Sequence, residues 1–232
     1  MGGTEELFET GVDAVSIAVP ASSHAPIALD AIRCGIHVLV EKPIAEGVEQ
    51  GRRLVDAAAA SDVLVTVGHI ERFNPAVVRL KECIDEGLIG DIISMSARRV
   101  GPYSARIRDV GIILDLATHD INVMTHIHGD PVERVFARAG SVLHSREDHA
   151  TLVLGFATGT TGVIDTNWLT PHKVRALTVV GSDAVAEVDY MNVTLDIYDG
   201  SWSRSARITH EEPLRAELRH FVHCCLEGTR PL

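Results

Sequence analysis

Over its first seventy residues the chain alternates uninterrupted apolar runs with segments of helical periodicity. The runs are "DAVSIAVP" (13–20), "HVLVE" (37–41) and "DVLVTVGH" (62–69). Between them lie "SSHAPIALDAIRCG" (22–35) and "AEGVEQGRRLVDAAAAS" (45–61). Strands joined through helices of this length build βαβ units and a parallel sheet. Continuous apolar character marks strands buried on both faces. Ser22 or Ser23 is the expected N-cap of the first helix, and Gly35 closes it. "NPAVVRLKECIDEGLIGD" (74–91) is a further helix, ended by Gly87 and Gly90.

From residue 92 the pattern changes. "IISMSARRVG" (92–101) alternates like a strand, and "VGIILDLATHDINVMTHIHGD" (110–130) is a long helix stopped by Gly129. Then come "VERVFARAG", "ATLVLGFATG", "TTGVIDTNWL", "VRALTVVGS", "AVAEVDY" and "VTLDIYDG", separated by turn signals. Hairpin-linked strands of this kind form an antiparallel sheet. A helix over 213–228 ends the pattern. The expected fold class is α/β: a parallel-sheet domain over 1–90, then an α+β domain over 91–232 with a large, open-faced, mainly antiparallel sheet.

The net charge of -11 argues against a nucleic-acid surface, which needs a basic face. The four cysteines form no CxxC or zinc spacing, so no metal site is expected and a reducing cytoplasm fits. No apolar run reaches the roughly 18–20 residues of a membrane span, and the acidic start is unlike a signal peptide.

In a parallel sheet, ligands bind beyond the carboxyl ends of the strands. Pro20, Glu41-Lys42-Pro43 and Gly68-His69 stand at three such ends. Lys42 is the only lysine among the first eighty residues, and only Lys81 and Lys173 follow. Pro43 biases it toward an extended conformation. An amine there suits proton transfer or alkoxide stabilisation; a strand cap paired with Glu46 is the alternative. On the helix over 110–130, Asp115, His119, Asn122 and His126 form a polar stripe among apolar residues. Asp115 and His119, one turn apart, suit acid–base chemistry, or else form a structural pair. His126 and His128 stand near the helix end, where the dipole favours imidazolium, in structural roles. "ARRVGPYSARIRDVG" (97–111) gathers Arg98, Arg99, Arg106 and Arg108 into a loop, a candidate phosphate site or a solvated basic loop. No G-x-G-x-x-G, Walker A, G-x-S-x-G or H-E-x-x-H pattern occurs.

"VPASSHAPIALDAI", "EKP" after a strand, "GHIERFNPAV" and "DLATHD" together resemble the Gfo/Idh/MocA family of NAD(P)-dependent oxidoreductases. "ERFNP" with "RRVGPYSARIRDVGIILDLATHDINVM" is most similar to the branch acting on nucleotide sugars. The resemblance implies a Rossmann domain followed by an open-faced sheet domain. It implies NAD or NADP as cofactor and C3 of a UDP-N-acetylhexosamine as the reacting position. Lys42 would hold the hydroxyl and steady the alkoxide, His119 would take the proton, and Asp115 would position the sugar or His119. Pro20, Ser22, His24, Glu41, Lys42 and Arg72 would face the cofactor. Arg106, Arg108, Asp115 and Asn122 would face the substrate. The Lys42–Pro43 bond would be cis. The family's Thr-Pro-Asn-x-x-His is here Val19-Pro20-Ala21-Ser22-Ser23-His24. Its opening strand, glycine-rich turn and helix have no counterpart after Met1, and a last helix is expected beyond Leu232, as in a protein truncated at both ends. A homo-dimer or tetramer through the second domain's sheet is expected. Within the family, an inositol or free hexose is the other substrate class. A non-catalytic nucleotide-sugar binding or assembly fragment is the other function class.

Overall fold

The computed structural model describes residues 3–104 and 110–232. The chain divides into two compact units, Met1–Ile70 with Leu214–Leu232 and Glu71–Pro213.

The first unit holds a three-stranded parallel sheet in the order β1 (Ala14–Ile17), β2 (His37–Glu41), β3 (Val65–Gly68). The central strand behaves as its sequence implies: Val38, Leu39 and Val40 are buried. The flanking strands are only half-buried along much of their length, because among the described residues each has a strand neighbour on one side alone. β3 starts later than the apolar run, since the Leu64 amide donates to His37 Nδ1 instead, at 2.8 Å. A short helix, α1 (Thr4–Glu9), opens the unit. α2 (His24–Arg33) follows a 3-10 turn at Ala21–Ser23, and α3 is Val48–Ala59. α2 packs on β2 and α3 through Ala25, Ala28, Ala31 and Ile32, whose small side chains let it lie close to the sheet. Gly35, at φ +74, follows the helix in the left-handed conformation that a Cβ disfavours. The chain's last helix, α6 (Pro213–Glu227), buries Glu217, Phe221 and Cys224, one face at i, i+4, i+7 spacing.

The second unit is built on an eight-stranded mixed sheet. Its order is β11 (Ser203–Ser205), β10 (Thr194–Tyr198), β9 (Val185–Asp189), β8 (Leu169–Gly181), β4 (Ile92–Pro102), β7 (Thr161–Asn167), β6 (His149–Phe156), β5 (Val132–Gly140). Only β4 and β7 run parallel; the other neighbours are antiparallel. α4 (Pro75–Asp85) starts cleanly because Asn74 Oδ1 accepts from the Ala76 amide at 3.1 Å and Pro75 occupies the first turn. The expected helix over 110–130 is a π-helical turn at Ile113–Ala117 running into α5 (Thr118–His128), with Gly129 left-handed at its end. Val123, Met124 and Ile127 of α5 join a core with Met95, Leu154, Ile164 and Leu177 of the sheet. In β6, Leu152, Leu154 and Phe156 all face this core, and Thr151, Val153 and Gly155 alternate onto the other face. Exposed apolar side chains occur on several strands of this sheet, among them Ile93 of β4, Val135 and Phe136 of β5 and Val163 of β7.

Candidate functional site

In the first unit the register sets the strand ends level. Glu41 pairs with Gly68, so Lys42 and His69 leave the sheet side by side in sequence register. The Lys42–Pro43 bond is cis, as the resemblance implied. Lys42 and Glu41 are half-buried, whereas Pro20 and Ser22 are exposed. Gly68 lies close to its neighbour: a Cβ there would stand 3.2 Å from the Glu41 carboxylate.

His24 has a different environment from the exposed residues around it. It is 1% exposed, and its ring bridges two carbonyls, Nδ1 to Pro43 O and Nε2 to Val19 O, each at 2.8 Å. The imidazole therefore ties the turn after β1 to the turn after β2. His24→Ala is expected to cost about 2–4 kcal/mol, from one buried cavity and the loss of the ring's hydrogen bonding between the two turns. Urea unfolding checks this; a loss under about 0.5 kcal/mol would show that the bridge carries no stability.

In the second unit, Asp115 lies in the π-helical turn and His119 in the first turn of α5, both half-buried. Such turns recur at functional sites because they break the regular presentation of side chains. Asn122, one turn further, accepts from Arg72 Nε at 2.7 Å. Two residues proposed for different ligands are thus partners of each other. Burial lowers the Arg72 guanidinium below its usual range. His126 also departs from the dipole argument. Burial, then Arg72 and Lys81, push its imidazole down and favour the neutral ring. His128 stacks on Phe156 with ring centroids 4.5 Å apart, a packing role.

The arginine-rich stretch needs correction. Arg98 and Arg99 are not in a loop; both lie on β4 and point to opposite faces. Arg98 pairs with Asp165 at the surface. Arg99 is buried, with Nε and Nη2 on the two oxygens of Asp120 at 2.9 and 3.0 Å and Nη1 on Glu71 at 2.7 Å. Its guanidinium also lies 4.9 Å from the Tyr190 ring centre. Burial opposes its charge, but Asp120 and Glu71 outweigh it and hold the guanidinium above its usual value. Burial pushes the Asp120 carboxyl up, against the pull of Arg99. This network connects β4, the turn before α4 and α5, one residue after His119. Glu71, Asp120 and Tyr190 were not anticipated from the sequence. The available signal was a charged residue, Asp120, on the apolar face of its helix. Arg106 and Arg108 lie outside the described residues.

Residues 3–69 match the family model described as "Oxidoreductase family, NAD-binding Rossmann fold", and residues 77–187 match "GFO/IDH/MocA C-terminal domain". The chain belongs to the Gfo/Idh/MocA oxidoreductase family. It is 28% identical over 232 residues to UDP-N-acetylglucosamine 3-dehydrogenase of Acidithiobacillus ferrooxidans, covering 95% of this chain and 72% of that one. It is 26% identical to the NAD(+)-dependent scyllo-inositol 2-dehydrogenase of Bacillus subtilis, covering 98% and 72%. The solved structure of the Acidithiobacillus enzyme superposes with a TM-score of 0.92 over 100% of this chain and 75% of that one, at 26% identity.

The strand ends of the first unit fit one end of a dinucleotide. A half-buried cation and carboxylate, an exposed serine and a glycine without side chain stand at the carboxyl edge of a parallel sheet. The 232 residues contain no G-x-G-x-x-G turn for a diphosphate.

Proposed function

We propose that the protein is an NAD-dependent dehydrogenase acting on a sugar hydroxyl, C3 of a UDP-N-acetylhexosamine. The observation that carries this is the likeness to UDP-N-acetylglucosamine 3-dehydrogenase over 95% of the chain. Pro20, Ser22, Glu41 and Arg72 are assigned to the cofactor side, and His24 supports that side through the Val19 and Pro43 carbonyls. When bound, the nicotinamide supplies the hydride acceptor. Lys42 holds the reacting hydroxyl and stabilises the oxygen as its proton leaves. His119 accepts that proton, and Asp115 orients the imidazole or the sugar. Arg106 and Arg108 are assigned to the diphosphate and Asn122 to the sugar, acting with Arg72. The four cysteines are all free thiols, and we place the protein in the cytoplasm. The exposed face of the eight-stranded sheet is proposed to be covered in a homo-dimer or tetramer.

A second reading, an inositol or free hexose as substrate, is favoured by the likeness to scyllo-inositol 2-dehydrogenase over 98% of the chain. Initial rates of NAD reduction separate the two. UDP-N-acetylglucosamine is expected to exceed free N-acetylglucosamine by at least about 10²-fold in kcat/KM, the worth of two charge-assisted phosphate contacts. A higher value for scyllo-inositol would favour the second reading. Ligand binding without turnover on any substrate would leave a non-catalytic binding module.

A further inference from the structure

The proposed chemistry leaves one buried ionisable group unused, Glu217. It lies on the inner face of α6, 2% exposed, between Pro213 and Phe221. Neither of its carboxyl oxygens has a hydrogen-bond partner among the described residues. An ionised carboxylate so placed is costly, and retaining the proton relieves the cost. A second carboxylate acts on it, that of Glu41 at the end of β2, one residue before Lys42. Arg215, Arg219, His220 and His223 share α6, but among the described residues Glu41 is the charge that acts on Glu217. The Glu41 carboxylate itself lies against Gly68 at the end of β3.

We infer that Glu217 is a positioning residue for the strand end that carries Lys42: held as a neutral acid, it adds no negative charge beside Glu41, and losing its proton to solvent sets two carboxylates against each other and displaces the Glu41-Lys42-Pro43 segment. The consequence for turnover rests on the role proposed for Lys42; the carboxyl pair does not. Burial first, and Glu41 second, push the Glu217 carboxyl up to about 7. The sign follows from linkage. The unfolded chain loses this proton near 4.5 and the folded chain near 7. Stability from this group is therefore intact below the lower value and falls as pH rises between the two.

The three lysines make the test clean. Reductive ¹³C-methylation labels Lys42, Lys81, Lys173 and the amino terminus, and Lys42→Arg assigns the Lys42 resonance. The expected result is an inflection of that resonance near pH 7, absent in Glu217→Gln, whose amide cannot ionise. Thermal midpoints should also fall more between pH 4.5 and 7 in the unchanged protein than in the variant. Glu41→Gln, which keeps Glu217, should move the inflection to lower pH. Identical Lys42 titrations in the unchanged protein and both variants would overturn the inference. Full turnover in Lys42→Ala with the inflection intact would instead remove the proposed role of Lys42 and leave the carboxyl pair standing.

Discussion

Lys42→Ala and His119→Ala should each lower kcat by about 10²–10⁴-fold, the range for removing a positioned acid–base group. Lys42 meets the reacting oxygen most strongly when that oxygen carries negative charge, so the loss falls on kcat more than on KM. The fold should survive both changes. Neither side chain is fully buried, and the segment holding Lys42 is fixed by His24 and by pairing of Glu41 with Gly68. Steady-state rates with UDP-N-acetylglucosamine, together with unchanged thermal midpoints, check the prediction. Wild-type kcat in either variant would remove that residue from the mechanism.

Arg99→Met should cost about 3–5 kcal/mol, among the largest single effects in the chain. It strands two carboxylates, one of them 1% exposed, without the guanidinium that bonds both, and the more distant charge of Arg175 does not replace those hydrogen bonds. Changing Asp120 to leucine and Glu71 to glutamine in the same chain should recover part of the loss, because no buried charge is then left unpaired. Arg98→Ala is the control. Its partner Asp165 is 48% exposed, and a surface pair of this kind is worth about 0–1 kcal/mol. Urea midpoints at constant m-value measure all of these. Equal losses for Arg98→Ala and Arg99→Met would show that burial of the network contributes nothing.

The parallel sheet was legible because its central strand is buried on both faces, which forces the continuous run Val38-Leu39-Val40 into the sequence. Most strands of the large sheet were legible too. Their alternation is local, and glycine-bearing turns such as Ala157–Thr160 separate them. Lys42 stood out because a lysine after an apolar strand needs a reason. What pattern cannot supply is pairing across the chain. Arg99 looked like its neighbours in a basic stretch, and only the fold brings Glu71 and Asp120 to it from 28 and 21 residues away. The π-helical turn at Ile113–Ala117 has no signature in residue type that distinguishes it from ordinary helix. Glu217 drew no reading from the sequence, although it faces inward with Phe221 and Cys224.

The claim that this chain works as an NAD-dependent dehydrogenase is tested most directly by titrating NADH into it calorimetrically. The account predicts saturable binding with a micromolar Kd, about −8 kcal/mol, made tighter or looser by UDP-N-acetylglucosamine in the same cell. No saturable binding up to millimolar NADH, with or without the sugar nucleotide, would contradict it.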